Sequence, residues 1–521
     1  MPTLDETRKS FSKFTNKPFR TNQPDAIKYA LESNKKYTVI NAPTGAGKSL
    51  IGAVIGKQMD SATYLVHSKA LQEQIVGDFP YPEFALLMGR NNYDCIESDN
   101  TCDNCPKTKP KCGDCPYLTQ KSLVLKNPLK ILNYTYFLFE SNFMGQFAND
   151  KCYILDEADP QKLELCLMDF IKLSFTNTTL NKLNISMPKY KTTFSDNSIP
   201  EWKYWAEDTA GAVKQRLSKL IAKSAGWKTI NSDYQRATLR EKKKLNTMKY
   251  KLKLFLKYVD KTWLQSHRNT KFGTEHTFEP VWLTPELTHE YFWKHMPNKV
   301  IMMSATFPPL KITADLLGLP LADMDYIELP STFPIKNRQI HFDVAGDLSF
   351  KTFNSEIEYV VDRVREIIAK HPNEKGLIHT VSYKLTNHIM SIDNPRLITH
   401  NTKDRGAKLT LFKQSHEPLI MVSPSMDRGL DLPDDKCRFL IIAKAPYLSL
   451  ADKKVKQRVY SGGLGKVWYK SDACMTMIQQ TGRGVRTETD YCTIYIIEKQ
   501  AKDLIVNNLG MFPQYWKESI V

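Results

Sequence analysis

Three short stretches of this 521-residue chain carry residue types that could handle a polyphosphate. In "TVINAPTGAGKS", Gly45 and Gly47 let backbone N–H groups face a β-phosphate, Lys48 neutralises β- and γ-phosphates, and Ser49 can ligate Mg²⁺. Ala42 stands where many such loops have their first glycine. "CYILDEAD" ends in Asp156-Glu157-Ala158-Asp159, where Asp156 would hold Mg²⁺, directly or through water, and Glu157 would orient and deprotonate an attacking water. In "QQTGRGVR", Gln479, Arg483 and Arg486 are spaced to reach a γ-phosphate from a facing domain. An acidic tetrapeptide or two arginines alone would be ordinary surface. Together with the glycine loop they describe ATP hydrolysis with Mg²⁺.

A fourth stretch concerns metal. "CIESDNTCDNCPKTKPKCGDC", residues 95–115, packs in Cys95, Cys102, Cys105, Cys112 and Cys115, five of ten cysteines. Four of them form Cys-x2-Cys-x6-Cys-x2-Cys, acceptable for tetrahedral zinc although the central gap is short, and the fifth is one thiol too many. The start, "MPTLDETRKSFSKF", has no apolar core of a signal peptide, and no run approaches the length of a membrane span. The expectation is a soluble, intracellular protein, cytoplasmic or wherever a nucleic-acid partner resides, with no membrane partner, where clustered cysteines favour metal over disulfides.

Elements must bring these stretches together. "YTVI", "TYLVHS", "KILNYTYF", "CYILDEAD" and "KVIMMSAT" are short apolar strands ending in polar loops, which predicts a parallel, doubly wound α/β sheet. A second series follows "SATFPP": "QIHFDV", "GLIHTVS", "PLIMVSPS", "RFLIIAKAPY" and "CTIYIIE". Between them, residues 165–285 read as an inserted helical domain, with Lys242, Lys243, Lys244, Lys249, Lys251 and Lys253 on a basic face that could guide a strand. The expected division is 1–88 with 118–164 and 286–330, a cysteine-rich insertion 89–117, the helical insertion 165–285, and 331–521. Lys plus Arg number 73 against 56 Asp plus Glu, a net +17 that suits nucleic acid.

These residues resemble the XPD/DinG family of superfamily 2 helicases. "FRTNQ", with Arg20 and Gln23, resembles its adenine-reading Q motif, and "HSKALQEQ" the motif Ia that touches the nucleic-acid backbone. "MSAT", with Ser304, Ala305 and Thr306, resembles the motif III that couples the ATP and DNA sites. "SMDRGLDLP", with Asp427, Gly429 and the ATP-site Asp431, resembles motif V, and "QQTGRGVRTETDY" motif VI. "LMGRNNYDC" and "CPYLTQKSLVLKNPLKILNYTYFLF" resemble the segments that flank the family's iron–sulfur domain. The resemblance implies two RecA-like motor domains with an arch-like helical insertion. It also implies a 4Fe–4S cluster on Cys95, Cys102, Cys105 and Cys115, with Cys112 spare; zinc, with Cys112 as a ligand, stays the alternative. The implied activity is an ATP-dependent, monomeric motor on single-stranded and forked DNA, moving 5′ to 3′.

Asp159 stands where the family usually has His, and Asp427 where Glu is common. "DEAD" and "DRGLDLP" also resemble DEAD-box RNA helicases, so RNA remains a possible partner. A nucleic-acid-binding protein whose ATP cycle only switches affinity is the reading from another class.

Overall fold

The computed structural model describes residues 2–96, 101–104, 113–188, 194, 198–227, 232–271, 273–425 and 432–521. In chain order the strands before the insertion are β1 (Tyr37–Asn41), β2 (Ala62–Val66), β3 (Ala85–Leu86), β4 (Leu129–Asn133) and β5 (Cys152–Asp156). Those of the insertion are β6 (Leu173–Thr176), β7 (Trp263–Thr270) and β8 (Gly273–Pro280). Then come β9 (Lys299–Ser304), β10 (Met324–Glu328), β11 (Ile340–Gly346), β12 (Gly376–His379), β13 (Leu397–Thr399), β14 (Ile420–Ser423), β15 (Phe439–Ile442) and β16 (Thr493–Glu498). The helices that position the site are α1 (Lys48–Gln58), α2 (Pro160–Ile171), α3 (Ile199–Ser224), α4 (Asp233–Tyr258), α5 (Lys453–Tyr460) and α6 (Gly463–Thr481).

Apolar runs such as "TVI" and "VIMM" are buried on both faces, as parallel strands require. They build a seven-stranded parallel sheet, β10-β1-β9-β5-β2-β4-β3, and a six-stranded one, β11-β16-β15-β12-β14-β13. Register decides the chemistry. Asn41 pairs with Ser304 and Asp156 with Met303, so the glycine loop, the Asp-Glu-Ala-Asp segment and Ser-Ala-Thr all leave the first sheet at its C-terminal edge, where such folds bind ligands.

The insertion is not helical throughout. The 26-residue helices α3 and α4 pack on a three-stranded antiparallel sheet, β6-β8-β7. Its core is aromatic: the rings of Trp202, Phe255, Trp205 and Phe175 lie 5.3, 5.4, 5.6 and 5.7 Å from Phe278. The far half of the β7–β8 hairpin is solvated and carries His, Arg, Asn and Thr, so its alternation was too weak to read as strand. Ser232 and Gln235 close a capping box that starts α4. Midway along α4, Lys243 pairs with Asp103 at 2.6 Å and ties the insertion to the cysteine segment. No helix among the described residues is long and apolar enough to cross a membrane.

Candidate functional site

The loop after β1 turns through Gly45 and Gly47, whose φ angles of +82° and +75° lie in the left-handed region that favours glycine. A Cβ on Gly45 would collide with the Phe333 ring, and one on Gly47 with the Gln23 amide. Gln23 braces the loop by donating from Nε2 to the Ala46 carbonyl at 2.9 Å, and its Oε1 accepts the Arg20 N–H at 2.9 Å. The Arg20 residue itself is exposed. Lys48 Nζ donates to the Ala42 carbonyl at 3.2 Å. Burial lowers the pKa of its ammonium, against the pull of Asp156 and Glu157.

Asp156 lies buried at the end of β5, where burial and the neighbouring Glu157 charge push its carboxyl up to about 6. Tyr64 brings the Mg²⁺ candidates together: its hydroxyl lies 3.5 Å from Asp156 Oδ2 and also bonds Ser49. A buried carboxylate that lacks full charge compensation, beside a hydroxyl, is a donor set that fits Mg²⁺. Glu157 follows with φ +50°, a strained conformation for a residue with a Cβ. Burial would raise its pKa, but Lys162, 2.6 Å away, holds it below the ordinary value.

Across from these groups stands the second sheet. A cavity of about 720 Å³ between the sheets is lined by Lys48, Glu157 and Lys162 on one side and Gln479, Arg483 and Arg486 on the other. Four side chains bridge it. Asp159 Oδ2 accepts from Ser304 Oγ at 3.2 Å, the Ser304 and Thr306 hydroxyls are 3.2 Å apart, and Gln479 Nε2 donates to Thr306 Oγ1 at 3.2 Å. Asp159 therefore anchors the first sheet's end of this bridge and caps α2 through Lys162 N–H. Ala305 enters through its carbonyl, which accepts from the Tyr515 hydroxyl at 2.8 Å. Asp427, Gly429 and Asp431 lie outside the described residues.

Residues 364–519 match the family model described as helicase C-terminal domain. No curated protein matches the chain in sequence. Among solved structures, an XPD helicase superposes with TM-score 0.60 at 15% identity, and an apo XPD with 0.58 at 16%, each over 96% of this chain and 98% of the other. Xpd4 of S. tokodaii follows with TM-score 0.57 at 14% identity, over 96% of this chain and all of that one. The chain has the fold of an XPD-like superfamily 2 helicase.

Within this XPD-like fold Cys95, Cys102 and Cys115 are buried together. Burial pushes the Cys102 thiol up to about 11, against a hydrogen bond from the Tyr117 backbone and with the Cys115 and Cys95 thiols adding to the rise. Neighbouring buried thiols are groups that a thiophilic metal centre would stabilise as thiolates. Among the described residues no group of three or more His, Cys, Asp or Glu is set to hold an ion, and Cys105 and Cys112 lie outside them.

The lysines of α4 do not form one basic face. Lys251 turns inward and donates to the Asp169 carbonyl at 2.9 Å, and Lys242 donates to Ser224 on α3 at 2.8 Å. Lys249 and Lys253 are exposed. Lys243, Lys244 and Lys251 join Arg240 and Lys172 around a cavity of about 540 Å³ that Asp103 borders from the cysteine segment. Residue types alone also missed Lys162 and Arg338 in the cavity between the sheets, because a lone Lys or Arg outside a phosphate motif carries no signal of its own.

Proposed function

We propose that the chain is an ATP-dependent DNA helicase that moves 5′ to 3′ on single-stranded DNA. One observation carries this reading: a single cavity brings Lys48 and Glu157 of one parallel sheet opposite Arg483 and Arg486 of the other. ATP phosphates would lie on the glycine loop, with Asp156 and Ser49 holding Mg²⁺, which when bound neutralises phosphate charge. Glu157 orients a water in line with the γ-phosphate and accepts its proton as the new P–O bond forms and the bond to ADP breaks. The arginines stabilise the charge that develops, so hydrolysis needs the two sheets closed together.

Opening a duplex costs about 1.4 kcal/mol per base-pair step in stacking, so continued unwinding needs repeated ATP cycles. The basic cavity bounded by α4 and the cysteine segment supports a strand path along Arg240, Lys243 and Lys244. In this reading Cys95, Cys102, Cys105 and Cys115 hold the 4Fe–4S cluster, which would fix the fold of the segment facing that path. Strand displacement by anaerobically purified protein, on duplexes with a 5′ or a 3′ DNA tail and with Lys48→Ala as control, tests the reading. Displacement from the 5′ tail alone is expected. Displacement from neither tail, despite DNA-stimulated ATP hydrolysis, would leave an ATP-switched binding protein; stimulation by RNA alone would make RNA the substrate.

A further inference from the structure

Lys162 is a cation of the nucleotide cavity that neither the glycine loop nor the arginine segment accounts for. It sits in the first turn of α2, where the helix dipole disfavours positive charge. Two carboxylates hold it there: Nζ lies 2.6 Å from Glu157 Oε2 and 4.0 Å from Asp159 Oδ2. The carboxylate that would take the proton of the attacking water is thus occupied by an ammonium. We propose that Lys162 is a γ-phosphate sensor, which leaves Glu157 for a γ-phosphate oxygen when ATP fills the cavity and returns when phosphate departs.

The geometry supports the exchange. A water oriented by Glu157 must lie about 3 Å from its carboxylate and in line with the γ-phosphate, so the phosphate comes within a few bond rotations of Nζ. A γ-phosphate carries more negative charge than the carboxylate it competes with, and ADP has none to offer. Glu157 is then released to the water only when the complete substrate is present. A static ion pair would instead stay closed with either nucleotide.

This role rests on the reading of the cavity as an ATPase centre, and nucleotide affinities separate the two claims. Binding of ADP and of the β,γ-imido analogue of ATP, each with Mg²⁺, is measured for the wild-type chain, Lys162→Met and Lys162→Arg. In Lys162→Met the Kd for the analogue is expected to rise about tenfold, as for a lost charge-assisted hydrogen bond, with ADP affinity unchanged. Lys162→Arg, which keeps the charge, should recover most of the loss. An unchanged ratio of analogue to ADP affinity in a Lys162→Met chain that still binds ADP overturns the sensor and leaves the ATPase reading standing. An equal loss for both nucleotides overturns it as well, and a wild-type chain that binds neither overturns both claims.

Discussion

His379 shows how a single side chain near Arg483 depends on its surroundings. It ends β12 fully buried, and burial, with Arg483 adding, lowers its pKa from the ordinary 6.5 to about 3. The folded chain therefore keeps the ring neutral where the unfolded chain protonates it. Between pH 6.5 and about 3 the unfolded state binds more protons, so stability falls as pH drops through that window, by up to about 1.4 kcal/mol per pH unit from this group. Urea unfolding of His379→Gln should show a shallower loss of stability across the same window; an unaltered slope would contradict the assignment. The glycine loop and the Asp-Glu-Ala-Asp segment were legible in the sequence because each is a local device, a strand that runs into its own ligands. The Lys162–Glu157 pair was not, because it depends on the left-handed turn at Glu157, which no residue type there demands.

At the scale of elements, α2 connects the parts. Its N-terminus is capped by Asp159 beside the cavity between the sheets, and Lys251 of α4 donates to the Asp169 and Phe170 carbonyls at its C-terminal end. Between them Glu164 accepts two hydrogen bonds from Arg458 of α5, at 2.6 and 2.9 Å, while the guanidinium sits 3.9 Å from the ring centres of both Trp282 and Trp468. This contact joins the first sheet's helix to the second sheet's across 294 residues of sequence, too far for any spacing rule to find. Arg458→Met should cost about 1–3 kcal/mol by leaving the half-buried Glu164 carboxylate without its charged donor, and Glu164→Met in the same chain should restore part of it. Urea unfolding of the single and double variants reads both; a single variant as stable as wild type would contradict the pair's role. For the cysteine segment, Cys95→Ser should abolish iron and acid-labile sulfide in anaerobically purified protein while Cys112→Ser keeps both. Stoichiometric zinc lost in Cys112→Ser would assign the other ligand set.

The whole molecule is a cationic body, net +17, in which the phosphate motifs line a cavity between its two parallel sheets and a second, basic cavity lies between the insertion and the cysteine segment. If a strand follows the second cavity, changing Arg240, Lys243 and Lys244 to Ala together should flatten the log–log salt dependence of single-strand binding by about 2, at roughly 0.7 per phosphate contact. An unchanged slope would take the strand elsewhere. The two series of parallel strands were legible in the sequence where a strand is a continuous apolar run, as β1, β5 and β9 are; β10, with Asp and Glu among its five residues, and the short β3 and β13 carried no such signal. The antiparallel sheet of the insertion was hidden by its solvated, charged hairpin. The central claim is that one ATP is worked on by both sheets at once, and single-turnover ATP hydrolysis with saturating single-stranded DNA tests it most directly. Arg486→Ala and Arg483→Ala should each lower the rate by about 10³-fold or more with ADP affinity kept. A rate within a few-fold of wild type in both variants would contradict it.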